Sequence, residues 1–191
     1  LFKVIKRDTN KVVLYQAPTG TGKTMSPIGL AKGKKIIFTC AAKHIGLQLA
    51  KSCIALDIKI AVAFGCQDPA GIRLHYFAAK DVVKNRRTGG IFRVDNSVGD
   101  NVQIIISDIQ SYLPAMRYML AFNAPDELTW YWDEPTIPLD HEEHEYHEIL
   151  RKNWQENLIP NIILSSATLP KQEDIAPCIQ SFVSKFNARN V

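Results

Sequence analysis

The stretch Gln16-Ala17-Pro18-Thr19-Gly20-Thr21-Gly22-Lys23-Thr24 combines residue types that hold phosphate, at the spacing [AG]-x-x-x-x-G-K-[ST]. Gly20 and Gly22 free the backbone to turn its N–H groups inward around phosphate oxygens, and a helix beginning there adds its dipole. Lys23 then reaches the β- and γ-phosphates of a nucleoside triphosphate, while the Thr24 hydroxyl can ligate Mg²⁺. The bland alternative is an ordinary glycine-rich turn between a strand and a helix. An apolar run at residues 12–15 and a helix-competent segment after Thr24 are the context in which such a turn binds phosphate.

A magnesium nucleotide also needs a carboxylate near the metal, and its hydrolysis needs a group that positions or deprotonates water. Asp133 and Glu134, directly after Leu128-Thr-Trp-Tyr-Trp132, offer both: Asp133 to hold Mg²⁺ through water, Glu134 to activate the attacking water. An isolated Asp-Glu pair is more often a solvated strand end. Further on, Ser166-Ala167-Thr168 follows the run at residues 161–164, and small hydroxyl residues there can bond the acidic pair and whatever lies across a cleft. Ser-Ala-Thr has almost no specificity by itself; the three groups in this order, each at the end of an apolar run, discriminate.

The elements that must position these residues are readable from hydropathy. Runs rich in Val and Ile at residues 12–15, 35–39, 59–64, 102–106, 128–132 and 161–164 read as buried strands. Helix-length segments lie between them, notably 43–55 and 111–122. Strands alternating with helices predict an α/β domain: a mainly parallel sheet with helices on both faces, with ligands beyond the carboxyl ends of the strands. Residues 85–100, with Gly89, Gly90 and three arginines, predict a loop or hairpin insertion.

Composition sets wider bounds. The chain has 191 residues, enough for one domain with a sizeable core, and a formal net charge of +4 that permits a phosphate-bearing partner without demanding one. Cys40, Cys53, Cys66 and Cys178 contain no C-x-x-C pair, which speaks against a zinc ribbon or disulfide framework and for a reducing, intracellular setting. No apolar run approaches the ~18 residues that span a membrane. The first residue is not Met and no helix cap precedes the first pattern, as expected for a piece of something longer.

The Ala17–Thr24 loop, Asp133-Glu134-Pro135-Thr136 and Ser166-Ala167-Thr168 together resemble motifs I, II and III of the first RecA-like domain of superfamily 2 helicases and translocases, the DEAD/DEAH-related group. The resemblance covers nearly the whole chain, with 133 − 23 = 110 and 166 − 133 = 33 residues between motifs. It implies a RecA-like P-loop NTPase domain spanning residues 1–191, with ATP and Mg²⁺ bound by residues 17–24 and Asp133, catalysis involving Lys23, Asp133 and Glu134, and coupling through Ser166, Ala167 and Thr168. It also implies RNA or DNA as partner. Thr39 and Lys43 at the end of the second strand, and Ser107 after the fourth, are similar to positions that touch a sugar-phosphate backbone in that group. Pro135 departs from the usual tetrads and removes a backbone donor, leaving subfamily and nucleic-acid type open. A second RecA-like domain, which in the group supplies an arginine finger across the cleft, is not identifiable here. The domain alone is therefore expected to hydrolyse ATP poorly, since such an arginine is worth about 10³ to 10⁵ in rate.

Other features have simpler readings. His141, His144 and His147 recur every third residue but miss the H-E-x-x-H zinc pattern and read as a solvated acidic helix. Arg86, Arg87 and Arg93 can contact phosphates and Phe92 can stack on a base, although a mobile basic loop explains them as well. Trp130 and Trp132 belong on one face of their strand with Tyr131 on the other, for burial. His75, Tyr76 and Phe77 read as helical packing residues. Two rival functions remain beside the motor: a phosphate-loop kinase or NTPase acting on a small molecule, and an ATP-gated nucleic-acid-binding module without motor activity.

Overall fold

The computed structural model describes residues 1–5, 10–18, 20–135, 146–168 and 172–188. Its core is a seven-stranded sheet in the order β1-β9-β8-β2-β7-β3-β4. In chain order these are β1 (Lys11–Gln16), β2 (Lys35–Cys40), β3 (Ile60–Ala63), β4 (Arg73–Leu74), β7 (Ile104–Asp108), β8 (Leu128–Asp133) and β9 (Asn161–Ser166), while β5 (Val82–Lys84) and β6 (Ile91–Val94) form a separate hairpin. Every pairing in the large sheet is parallel except that of β3 with the short edge strand β4. All six predicted strands are present, and the 85–100 insertion contributes one arm of the hairpin.

Helices cover both faces. On one side lie the one-turn α1 (Phe2–Ile5), α2 (Ser26–Leu30) and α3 (Lys43–Ala55); on the other, α4 (Tyr112–Leu120), α5 (Tyr146–Glu156) and α6 (Gln172–Phe186). The alternation of strand side chains divides the core accordingly. Ile36, Phe38, Ile104, Ile106, Tyr131 and Ile163 pack with Leu49 and Cys53 of α3. Ile37, Ile105, Trp130, Trp132 and Ile162 pack with Tyr112 and Met116 of α4. The predicted split of the aromatic strand is thus borne out: Trp130 and Trp132 stack on one face with ring centroids 4.8 Å apart, and Tyr131 lies beside Phe38 on the other.

Two expectations need correction. The run at residues 12–15 is not buried throughout, because β1 is an edge strand with β9 on one side only, and Leu14 is exposed. His75, Tyr76 and Phe77 form no helix. The antiparallel return of β4 consumes their segment in a turn, closed by Ala78 N–H donating to the His75 carbonyl at 2.8 Å, and Tyr76 and Phe77 stay exposed against each other at 4.3 Å. The acidic histidine stretch lies largely outside the described residues, as do Thr19 and Thr136. No helix among the described residues is long and apolar enough to cross a membrane.

Candidate active site

The strand order explains how residues 110 positions apart in sequence come together. β1, β9 and β8 are consecutive parallel neighbours, with Gln16 opposite Ser166 and Ser165 opposite Asp133. Their carboxyl ends therefore fall within about 10 Å of one another, two strand spacings. The glycine-rich turn, the acidic pair and the Ser-Ala-Thr segment each start at one of these three ends.

The turn leaves β1 through Ala17, whose N–H donates to the Ser166 carbonyl at 3.3 Å. Gly20 and Gly22 have φ of +85° and +82°, the left-handed conformation for which glycine is needed, and the space where a Cβ would project from either is open. Thr21 closes the turn by donating from Oγ1 to the Pro18 carbonyl at 2.7 Å. Lys23 to Met25 make a 3₁₀ turn that runs on into α2, a helix of only five residues. The helix expected after the loop is therefore present but short, with Pro27 in its first turn.

Lys23 is buried, and its Nζ lies 2.8 Å from Glu134 Oε1. The same carboxylate accepts from Ser166 Oγ through Oε2 at 2.6 Å and from the Ala167 N–H, which lies 3.1 Å from Oε1 and 3.3 Å from Oε2. Burial alone would raise the Glu134 carboxyl, but these donors and the ammonium outweigh it and hold the group below its ordinary range. Glu134 also has φ of +49°, a left-handed conformation that costs a non-glycine residue roughly 1–2 kcal/mol, and it precedes Pro135. Its N–H donates to the Ser165 carbonyl at 2.7 Å, so backbone and side chain are both fixed by the end of β9. The strain accompanies a carboxylate turned toward Lys23.

Asp133 lies beneath, 3% exposed. Its Oδ2 accepts from Thr24 Oγ1 at 3.4 Å, and its Oδ1 is buried with no hydrogen-bond partner among the described residues. Burial first, then the neighbouring Glu134 charge, push this carboxyl up to about 6. A buried, under-satisfied carboxylate oxygen next to a threonine hydroxyl is an oxygen donor set that fits a hard divalent cation such as Mg²⁺.

One contributor was not foreseen. Tyr131 reaches from β8 to donate its hydroxyl to the Lys23 carbonyl at 2.8 Å, tying the turn to the strand that carries the acidic pair. Strand alternation had placed Tyr131 only on the face opposite Trp130 and Trp132; that this face is the one beneath the turn is seen in the structure.

The nucleic-acid candidates fare differently. Thr39 and Ser107 are brought together, their hydroxyl oxygens 3.1 Å apart, but inside the core, where Trp130 Nε1 donates to Thr39 and Ser107 donates to the Phe38 carbonyl. Side chains buried between β2 and β7 present nothing to a phosphate backbone. Lys43 is exposed, 3.6 Å from Asp108 Oδ2. Asp108, also unforeseen, accepts from the Gly65 and Ser111 N–H groups, each at 2.9 Å, and so joins the ends of β3 and β7.

No protein-family model matches the sequence, and no curated protein matches it. Among solved structures, the crystal structure of the Pyrococcus furiosus Hef helicase domain is similar, with a TM-score of 0.51 and 16% identity over 98% of this chain. The chain spans 35% of the length of that structure's chain. The parallel sheet, its helical layers and this similarity together show an α/β fold like that of a helicase domain.

Proposed function

We propose that the chain is the ATP-binding domain of a nucleic-acid-dependent ATPase of the superfamily 2 helicase type, coupling ATP hydrolysis to unwinding of, or translocation on, RNA or DNA. The observation that carries this is the hydrogen-bonded series Lys23–Glu134–Ser166, with Asp133 and Thr24 beside it, at the ends of three adjacent strands. A phosphate-loop kinase has no need for the third member.

The geometry supports specific roles. An arriving triphosphate draws the Lys23 ammonium from Glu134 to its β- and γ-phosphate oxygens, a charge-assisted exchange of one anion for another. Glu134, still held by Ser166 and the Ala167 N–H, is then a free carboxylate that accepts a proton from water as the water oxygen bonds to the γ-phosphorus and the bond to the ADP oxygen breaks. Thr24 and Asp133 would hold Mg²⁺, which when bound neutralises charge on the phosphate oxygens. Ser166 and Ala167 bond Glu134 directly, so displacement of their segment by a neighbouring domain would move the carboxylate. Thr168, exposed at the end of that segment, is the residue to receive such a contact.

The test is ATP turnover by a polypeptide carrying both RecA-like domains, with and without single-stranded RNA and DNA. Turnover stimulated by nucleic acid and lowered at least about 100-fold in Glu134→Gln, the scale of losing a general base, is expected. Turnover that responds to a small acceptor but not to nucleic acid would favour the kinase reading. Nucleic-acid binding gated by ATP without turnover would favour the module reading.

A further inference from the structure

The hairpin β5–β6 is a sheet of its own, tied to β4, the edge strand farthest from β1, by the Leu74 N–H donating to Asn96 Oδ1. Between Val82 and Val94 the sequence VVKNRRTGGIFRV has four cations, Lys84, Arg86, Arg87 and Arg93, and no Asp or Glu. Lys84, Arg86 and Arg87 are exposed and form no ion pair among the described residues. Phe92 is 75% exposed, flanked by exposed Ile91 and by Val83 on the facing strand. The ladder pairs Val83 with Arg93 but Lys84 with Ile91, so Phe92 is the extra residue of a β-bulge, a device that re-aims a side chain out of the regular ladder.

An isolated two-stranded ribbon is marginally stable, yet this one is anchored at its base and ordered at its tip. Lys80 pairs with Asp100 at 2.7 Å, Asp95 N–H donates to the Asp81 carbonyl at 3.0 Å, and Asn96 accepts from the Leu74 N–H at 2.7 Å. At the tip the Asn85 side chain accepts from the Arg87 and Thr88 N–H groups at 2.8 and 3.3 Å. The two arginines are therefore presented on a defined turn. The groove between the hairpin and β4, about 770 Å³, sets Arg73 and Arg93 against Asp81 and Asp95. It is charge-balanced, so the excess positive charge lies on the ribbon and not beneath it.

We infer that the β5–β6 hairpin is a single-stranded nucleic-acid contact, with Arg86 and Arg87 on phosphates and Phe92 stacked on a base. A run of cations without acids complements a polyanion, and an exposed aromatic among them offers a stacking face that every base can use. An anionic membrane meets the same charges, but three apolar side chains are little surface to hold in a bilayer. The inference rests on the proposed function for its partner class and on the hairpin for its site. The nucleotide cleft lies at the ends of β1, β9 and β8, and four strand spacings, about 19 Å, separate β8 from β4, beside which the hairpin stands.

The test is binding of a fluorescent single-stranded oligonucleotide, followed by anisotropy against salt, for the wild type, Arg86→Ala/Arg87→Ala and Phe92→Ala. All three substitutions are on exposed side chains, and an unchanged melting temperature checks the fold. The double arginine variant is expected to weaken binding and to flatten the salt dependence by about 1.4, two contacts at ~0.7 each for a single strand. Phe92→Ala is expected to weaken binding about ten-fold at unchanged salt slope, the scale of one lost stack. Wild-type oligonucleotide affinity in both variants overturns the inference, as does loss confined to phosphatidylserine vesicles. Mg·ATP titrations of the same proteins separate the two proposals. ATP binding with hairpin-independent oligonucleotide binding removes only the hairpin contact, whereas hairpin-dependent oligonucleotide binding without ATP binding removes only the nucleotide reading.

Discussion

Asp133 and Glu134 are neighbours in sequence with opposite electrostatic histories. Glu134 is held below its ordinary range by Lys23, Ser166 and Ala167, while burial raises Asp133 to about 6. Between pH 3.8, the ordinary Asp value, and about 6 the folded chain keeps a proton on Asp133 that the unfolded chain has released. Stability must fall as pH rises through that window. Glu134 acts in the opposite sense: its contribution is present above its ordinary 4.5 and is lost as pH falls through its lower folded value. In metal-free protein, urea unfolding is therefore expected to show Asp133→Asn more stable than wild type at pH 7, by at most about 3 kcal/mol, with the advantage vanishing below pH 4. Mg²⁺ should stabilise the wild type and leave Asp133→Asn unmoved. An Asp133→Asn protein that is no more stable than wild type at pH 7 in EDTA would refute the assigned desolvation.

At the scale of elements, the helix layers are set by how closely they approach the sheet. Gly46 of α3 faces Phe64 and Ile106, and a Cβ there would lie 2.7 and 2.9 Å from their side-chain carbons. Gly46→Ala is expected to cost about 1–3 kcal/mol by overpacking, although alanine is the better helix former by up to ~1 kcal/mol; a chemical melt that finds it stabilising would contradict the packing. Strand existence was legible because the central strands β2, β7 and β8 are buried on both faces of a parallel sheet, which leaves a continuous apolar signature. The weak points were at the edges. β1 reads like a central strand because Val12 packs into one helical layer and Val13 and Tyr15 against the other although only β9 pairs with it, and the return through β4 is too short to leave any period. Thr39 and Ser107 were carried over by resemblance to positions that touch a nucleic-acid backbone, which says nothing of burial here; their side chains satisfy each other and Trp130 within the core.

For the whole molecule the decisive fact is strand order, which no local pattern carries. The residue types at 17–24, 133–134 and 166–168 suggested phosphate and magnesium binding, and their positions after apolar runs put them at one end of a sheet. Only the adjacency β1-β9-β8 converts that into contact between Lys23, Glu134 and Ser166. Tyr131 then fixes the turn to the acidic strand through a buried hydrogen bond to the Lys23 carbonyl. The basic hairpin is joined to β4, at the other edge, through Leu74 and Asn96, so the proposed nucleotide and ribbon contacts use different residues and are separable by mutation. The most direct measurement is a calorimetric titration of the chain with Mg·ATP, repeated for Lys23→Ala and Glu134→Gln. Saturable one-site binding that is lost in Lys23→Ala and kept in Glu134→Gln is the predicted result; no binding by the wild type, or binding indifferent to Lys23→Ala, would contradict it.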